Sequence, residues 1–115
     1  MADLSDLQKR VVEFRDARDW KQFHNPKDVA LSLALEAAEL MEHFQWKSPE
    51  EIKEHLITKN NEVSEELMDV LYWVLLFAKD LEIDIEKEFN RKMSQNEKKY
   101  PISKAKGSHK KYTEL

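Results

Sequence analysis

Four acidic residues stand out by type and spacing. Glu36 and Glu39 lie three apart in VALSLALEAAELM (29–41), where Ser32 is the only other polar residue. Glu66 and Asp69 lie three apart in ELMDVLYWVLLFA (66–78), where they are the only acids. On a helix, residues three apart share a face. A lone carboxylate among apolar neighbours is unfavourable by several kcal/mol and tends to take up a proton. Four in one place would also repel one another. A hard divalent cation removes both problems, and Mg²⁺ or Mn²⁺ prefers oxygen ligands. Glu36, Glu39, Glu66 and Asp69 are therefore the candidate metal ligands and catalytic residues. One ExxE would suit the solvent face of an amphipathic helix. Two pairs, each alone in a long apolar run, point to a metal instead. A di-iron carboxylate bundle needs Glu-x-x-His. The residues three before the histidines are Lys21, Leu40, Ile52 and Lys106, so that pattern is missing. HExxH is missing too.

Aromatic and basic residues surround these pairs in the sequence. Trp20, Phe23 and His24 come just before the first pair, Trp46 just after it, and Trp73 one turn beyond Asp69. Tryptophan and histidine rings can stack on a nucleobase and hydrogen-bond to it. The same rings would also serve in a core or an interface. His43 and His55 read as surface residues. Lys92, Asn96 and Lys99 step by four and three, so they share one helical face that can hold a polyphosphate. Without a partner they would form a solvated face.

The elements that must position these groups are helical. Asp3 or Ser5 can cap a first helix whose Leu4, Leu7, Val11 and Phe14 form a stripe, ending near 18–20. WKQFHNP (20–26) reads as a connection. Asn25 and Pro26 start a second helix running to about Trp46. Ser48, Pro49 and Glu51 form a capping box for a third helix, reaching about Ile57. Asn60 or Asn61 starts a fourth, to about Leu81, and Asp84 caps a fifth that ends near Tyr100-Pro101. The expected fold is all-α, a bundle of four to five helices in a domain over 1–101. A basic tail over 102–115, irregular with a turn at Gly107, completes the chain.

Composition agrees. The chain has 115 residues, one Gly, three Pro, 41% hydrophobic and 37% charged residues. That balance favours helices over sheets. No apolar run reaches membrane-spanning length, and MADLSDLQKR lacks the apolar core of a signal peptide. Cysteine is absent, which excludes disulfides and thiolate metal sites. A cytoplasmic location fits. The net charge of −4 argues against a nucleic-acid polymer as partner. Seven lysines between 92 and 111, against Glu97 alone, make the C-terminal end basic. Two helices that are apolar nearly all round are hard to cover within one small chain, so a homo-oligomer is expected.

Taken together, the ExxE and ExxD pairs resemble the signature of the MazG-like all-α NTP pyrophosphatases. RDWKQFHNP (18–26), ELMEHFQWK (39–47), EELMDVLYW (65–73), the 92–101 segment and KYTEL (111–115) look like the dCTP pyrophosphatase branch. The resemblance implies hydrolysis of a nucleoside triphosphate, dCTP first, to the monophosphate and pyrophosphate. It implies Mg²⁺, with Mn²⁺ as a substitute, on Glu36, Glu39, Glu66 and Asp69. Glu39 or Glu66 is then the candidate base for the attacking water. The nucleotide contacts it implies are Trp20, Lys21, Gln22, Phe23, His24, Trp46 and Trp73, with Lys92, Asn96 and Lys99 at phosphates or base. It also implies a homodimer or homotetramer. Val11 and Trp73 stand where that branch has a histidine and a tyrosine near the nucleotide, and Leu35 precedes Glu36 where many wider members have Glu-Glu. Base preference is open on that account. A nucleotide-binding sensor without turnover and a purely structural helical module are the rival readings.

Overall fold

A computed structural model describes all residues, Met1–Leu115. The chain is all-α. Its helices are α1 (Leu4–Ala17), α2 (Pro26–Glu42), α3 (Pro49–Thr58), α4 (Asn60–Asp80), α5 (Ile85–Lys99) and the single-turn α6 (Ile102–Ala105). Short 3₁₀ turns cover Lys21–Phe23 and Tyr112–Glu114. None of the helices is long and apolar enough to cross a membrane. The chain groups into two compact units, Met1–Glu82 and Ile83–Leu115. Helix α5, read in the sequence as part of a 1–101 domain, groups with the residues that follow it.

Three of the four α-helix starts in the first unit carry a side-chain cap. Asp3 caps α1 in a reciprocal box with Asp6. Asn25 accepts from the Asp28 amide while Pro26 fills the first position of α2, where a missing N–H costs nothing. Ser48 and Glu51 close a capping box on α3. Helix α4 starts at Asn60 without a side-chain cap, directly after α3.

Helix α2 stops at Glu42, four residues before the expected end at Trp46. The chain turns there, and Trp46 itself takes a left-handed backbone, φ 65°. Glycine normally fills that conformation after a helix, because a Cβ is crowded there.

In the first unit, α4 is the central element, with α1, α2 and α3 packed on it. The buried apolar residues are Val29 of α2 and Leu75, Leu76 and Ala78 of α4. Gln8 of α1 donates to the Leu75 carbonyl at 2.9 Å, tying α1 to the same end of α4. Much apolar surface stays open. Leu31, Leu35 and Met41 of α2 and Leu67, Met68 and Val74 of α4 are exposed, Leu35 at 64%.

In the second unit, Asp84 caps α5 by accepting from the Lys87 amide. The segment from Ile102 onward was expected to be irregular. Pro101 instead opens the α6 turn, its fixed φ suiting a residue at a helix start. Gly107 makes the expected turn with φ 78°. Tyr112 then packs edge-on to Tyr100 at 6.1 Å, and the Lys99 ammonium sits 4.8 Å from the Tyr112 ring.

Candidate metal and nucleotide site

Two contacts show that α2 and α4 run antiparallel. His24, just before α2, meets Trp73 at 5.4 Å, whereas Glu36 and Glu39 meet Glu66, nearly two turns earlier in α4. The i, i+3 spacing on each helix aims these acids across the same seam. One oxygen each from Glu36, Glu39 and Glu66 lies within 4.8 Å of the others. Asp69 falls outside this set of mutually close oxygens. It lies one turn on from Glu66, near enough for its charge to disfavour ionisation of Glu36.

The cluster is electrostatically unfinished. Glu36 and Glu66 are half-buried, and the Oε2 atom of each is buried with no hydrogen-bond partner. Loss of solvent, followed by the charges of Glu39 and Asp69, pushes the Glu36 carboxyl up to about 7. Glu66 is raised as well, first by desolvation and then by Glu39. None of the four acids forms an ion pair with Lys or Arg in this chain. An all-oxygen donor set with orphaned buried acceptors fits a hard divalent cation. Glu36, Glu39 and Glu66 would hold it, with Asp69 at the margin.

Beside Asp69 a groove of about 390 Å³ opens between α1 and α4. Its walls are apolar (Val11, Phe14, Leu71 and Tyr72 among them), with Asp69 and Arg10 as the charged lining residues. Phe14 meets Tyr72 edge-on at 6.2 Å and Trp20 at 5.7 Å, and Tyr72 meets Trp73 at 5.2 Å. A chain of rings therefore runs from Trp20 through Phe14, Tyr72 and Trp73 to His24. The His24 ring is half-buried and its Nδ1 has no partner. Burial, then the charge of Arg15, holds its pKa below the ordinary value, which favours the neutral ring.

The remaining residues singled out in the sequence fall into three groups. Lys21, Gln22 and Phe23 form the exposed 3₁₀ turn beside Trp20, where Gln22 donates to the Asp19 carbonyl and carboxylate. Trp46 stands alone at 92% exposure after α2. Lys92, Asn96 and Lys99 lie along α5 in the second unit, with Asn96 half-buried and both lysines exposed.

One expectation is corrected. His43 and His55 are half-buried, not surface residues: His43 Nδ1 lies 2.8 Å from His55 Nε2. The end of α2 turns onto α3 and brings the rings together, and burial with nearby Lys47 lowers the His55 pKa. The sequence reading also missed Arg15. Its side chain is 1% exposed and donates twice from Nη1 to the Asp80 carboxylate, at 2.7 and 2.8 Å. The signal was present: Arg15 lies one turn beyond Val11 on an otherwise apolar face.

Comparison with known proteins agrees with this architecture. The MazG-like family model matches residues 31–115. The chain is 36% identical over 114 residues to dCTP pyrophosphatase 1 of Bos taurus, covering 97% of this chain and 68% of that one. It is 37% identical over 114 residues to dCTP pyrophosphatase 1 of Homo sapiens, covering 97% and 67%. A solved pyrophosphatase from Archaeoglobus fulgidus DSM 4304 is 41% identical with a TM-score of 0.80, over 88% of this chain and 94% of that one. With the matched model spanning most of its length, this chain belongs to the MazG-like family.

Proposed function

We propose that this protein is a Mg²⁺-dependent nucleoside triphosphate pyrophosphohydrolase that prefers dCTP and releases dCMP and pyrophosphate. One observation carries the reading: three carboxylates converge with two buried oxygens unpartnered, in a chain with pyrophosphatase relatives. Glu36, Glu39 and Glu66, with Asp69 beside them, are the proposed ligands. When bound, the ion supplies Lewis-acid stabilisation of the charge that develops on phosphate oxygens.

The chain's own groups supply the rest. Glu39 is exposed, so it is free to turn toward an incoming water, and Glu66 faces it across the seam. Either carboxylate can accept the proton of the attacking water. The groove beside Asp69 offers apolar surface, Val11, Phe14, Leu71 and Tyr72 among its walls, next to the acidic cluster. Trp20, His24 and Trp73, together with Trp46, are the proposed contacts to the base, the 3₁₀ turn at Lys21, Gln22 and Phe23 lying beside them. Strain at Trp46 fits such a role, because an exposed tryptophan held at positive φ contributes little to the fold. Lys92, Asn96 and Lys99 are proposed phosphate or base contacts on the strength of the family resemblance.

We also propose that the protein acts as a homodimer or homotetramer. The exposed leucines of α2 and α4 support this, since burying them against a second copy stabilises by roughly 25 cal/mol per Å².

The test is pyrophosphate release from a panel of nucleoside and deoxynucleoside triphosphates, with Mg²⁺ and with a chelator. Metal-dependent release with dCTP as best substrate supports the proposal. Orthophosphate as the released product, or equal rates in chelator, would refute it. Binding without release would favour a sensor.

A further inference from the structure

Trp20 and His24, proposed above to touch the base, lie near one ion pair that has no part in the proposed chemistry. Arg15 is 1% exposed and grips Asp80 at the end of α4 through two bonds of 2.7 and 2.8 Å. Its Nε donates to Asp16 at 3.1 Å. The backbone carbonyl of the same residue accepts from the amides of Arg18 at 3.1 Å and Trp20 at 3.2 Å. One residue thus ties the start of the 18–25 segment to the helix that carries Trp73.

The segment needs such a tie. Asp19 has a left-handed backbone, φ 55°, an unusual conformation for any residue with a Cβ. Past that bend the Lys21–Phe23 turn is exposed, and its side-chain fixation comes from Gln22 bonding back to Asp19. His24 then returns to Trp73 at 5.4 Å, close enough to Arg15 and Asp80 for both charges to act on its ring.

We infer that Arg15, through its ion pair with Asp80, is a positioning residue for base recognition, fixing the segment that presents Trp20 and His24 beside Trp73. A guanidinium held through Nη1 by Asp80 and through Nε by Asp16 sets direction as well as distance, which an apolar side chain at this position would not do. The inference rests on the proposed reading of this segment as the base contact.

The experiment compares Arg15→Met, Asp80→Asn and Arg15→Lys with the wild type. It reads kcat and KM for dCTP, dTTP, dATP and dGTP in saturating Mg²⁺, with melting temperatures alongside. Removing the ion pair should raise KM for the preferred nucleotide and compress discrimination among bases, each by about tenfold, with kcat changed by less than about threefold. Arg15→Lys keeps the charge and should recover part of the discrimination. If Arg15→Met does not fold, Arg15→Lys and Asp80→Asn still carry the test, with a smaller compression expected from the former. Variants that melt earlier yet keep the wild-type base ratios would overturn the positioning role and leave only a structural one. A wild type that hydrolyses none of the four would overturn the proposed function, and this inference with it.

Discussion

Arg15 and the carboxyls of Glu36 and Glu66 all lose solvent within the Met1–Glu82 unit, yet their surroundings are opposite. Arg15 finds Asp80 at 2.7 Å and Asp16 at 3.1 Å, so its charge is balanced inside the chain. Glu36 and Glu66 find only further acids, and one oxygen of each has no partner. Buried charge is tolerated when it is paired and hydrogen-bonded. A helix seam that instead gathers like charges carries a standing penalty, which protons or a cation must offset. The first site is electrostatically complete within the chain; the second makes sense as a place to bind something positive.

Several changes would break or sharpen this contrast. The largest effect is expected at the unpaired site. Glu36→Gln should lower pyrophosphate release from dCTP by about a thousandfold or more, the several kcal/mol that a catalytic cation supplies at about 1.4 kcal/mol per tenfold. Steady-state assays in Mg²⁺ measure it. Next comes the paired site: Asp80→Ala leaves Arg15 with Asp16 as its one acidic partner and should cost about 1–3 kcal/mol in chemical denaturation. The rise in melting temperature on adding Mg²⁺ should survive that change, since Asp80 takes no part in the cluster.

The two sites also differ in their response to pH. Glu36 titrates near 7 in the folded chain against an ordinary value of 4.5, and Glu66 is raised as well. Between those values the folded state holds more protons than the unfolded one. Metal-free stability should therefore fall as pH rises from about 4.5 to about 7. Saturating Mg²⁺ should flatten that slope, which denaturant titrations at pH 5 and 7.5 would reveal. The smallest effect is expected at Trp46. Trp46→Gly should raise stability by up to about 1 kcal/mol by relieving the left-handed strain, while raising KM for the nucleotide. An unchanged KM would remove Trp46 from the site.

Much of this was legible in the sequence, for identifiable reasons. Helix starts were readable because caps are local: Asp3, Asn25, Ser48 and Asp84 each bond an amide three residues on. The acidic seam was readable because two acids three apart in an apolar run have few other uses. The early stop of α2 was not, because Trp46 in a left-handed turn contradicts its own local preference. The Arg15–Asp80 and His43–His55 pairs join residues 65 and 12 apart, through packing that no local pattern encodes. Asp69 shows the limit of spacing: it shares a face with Glu66, yet its oxygens lie outside the close set.

The most direct test is calorimetric melting of wild type and Glu36→Gln at pH 7.5, first in chelator and then in millimolar Mg²⁺. If the cluster is a cation site with uncompensated charge, the variant melts above the wild type in chelator. Mg²⁺ then raises the wild type strongly and the variant little. Equal melting temperatures in chelator, with Mg²⁺ acting alike on both proteins, would contradict that account.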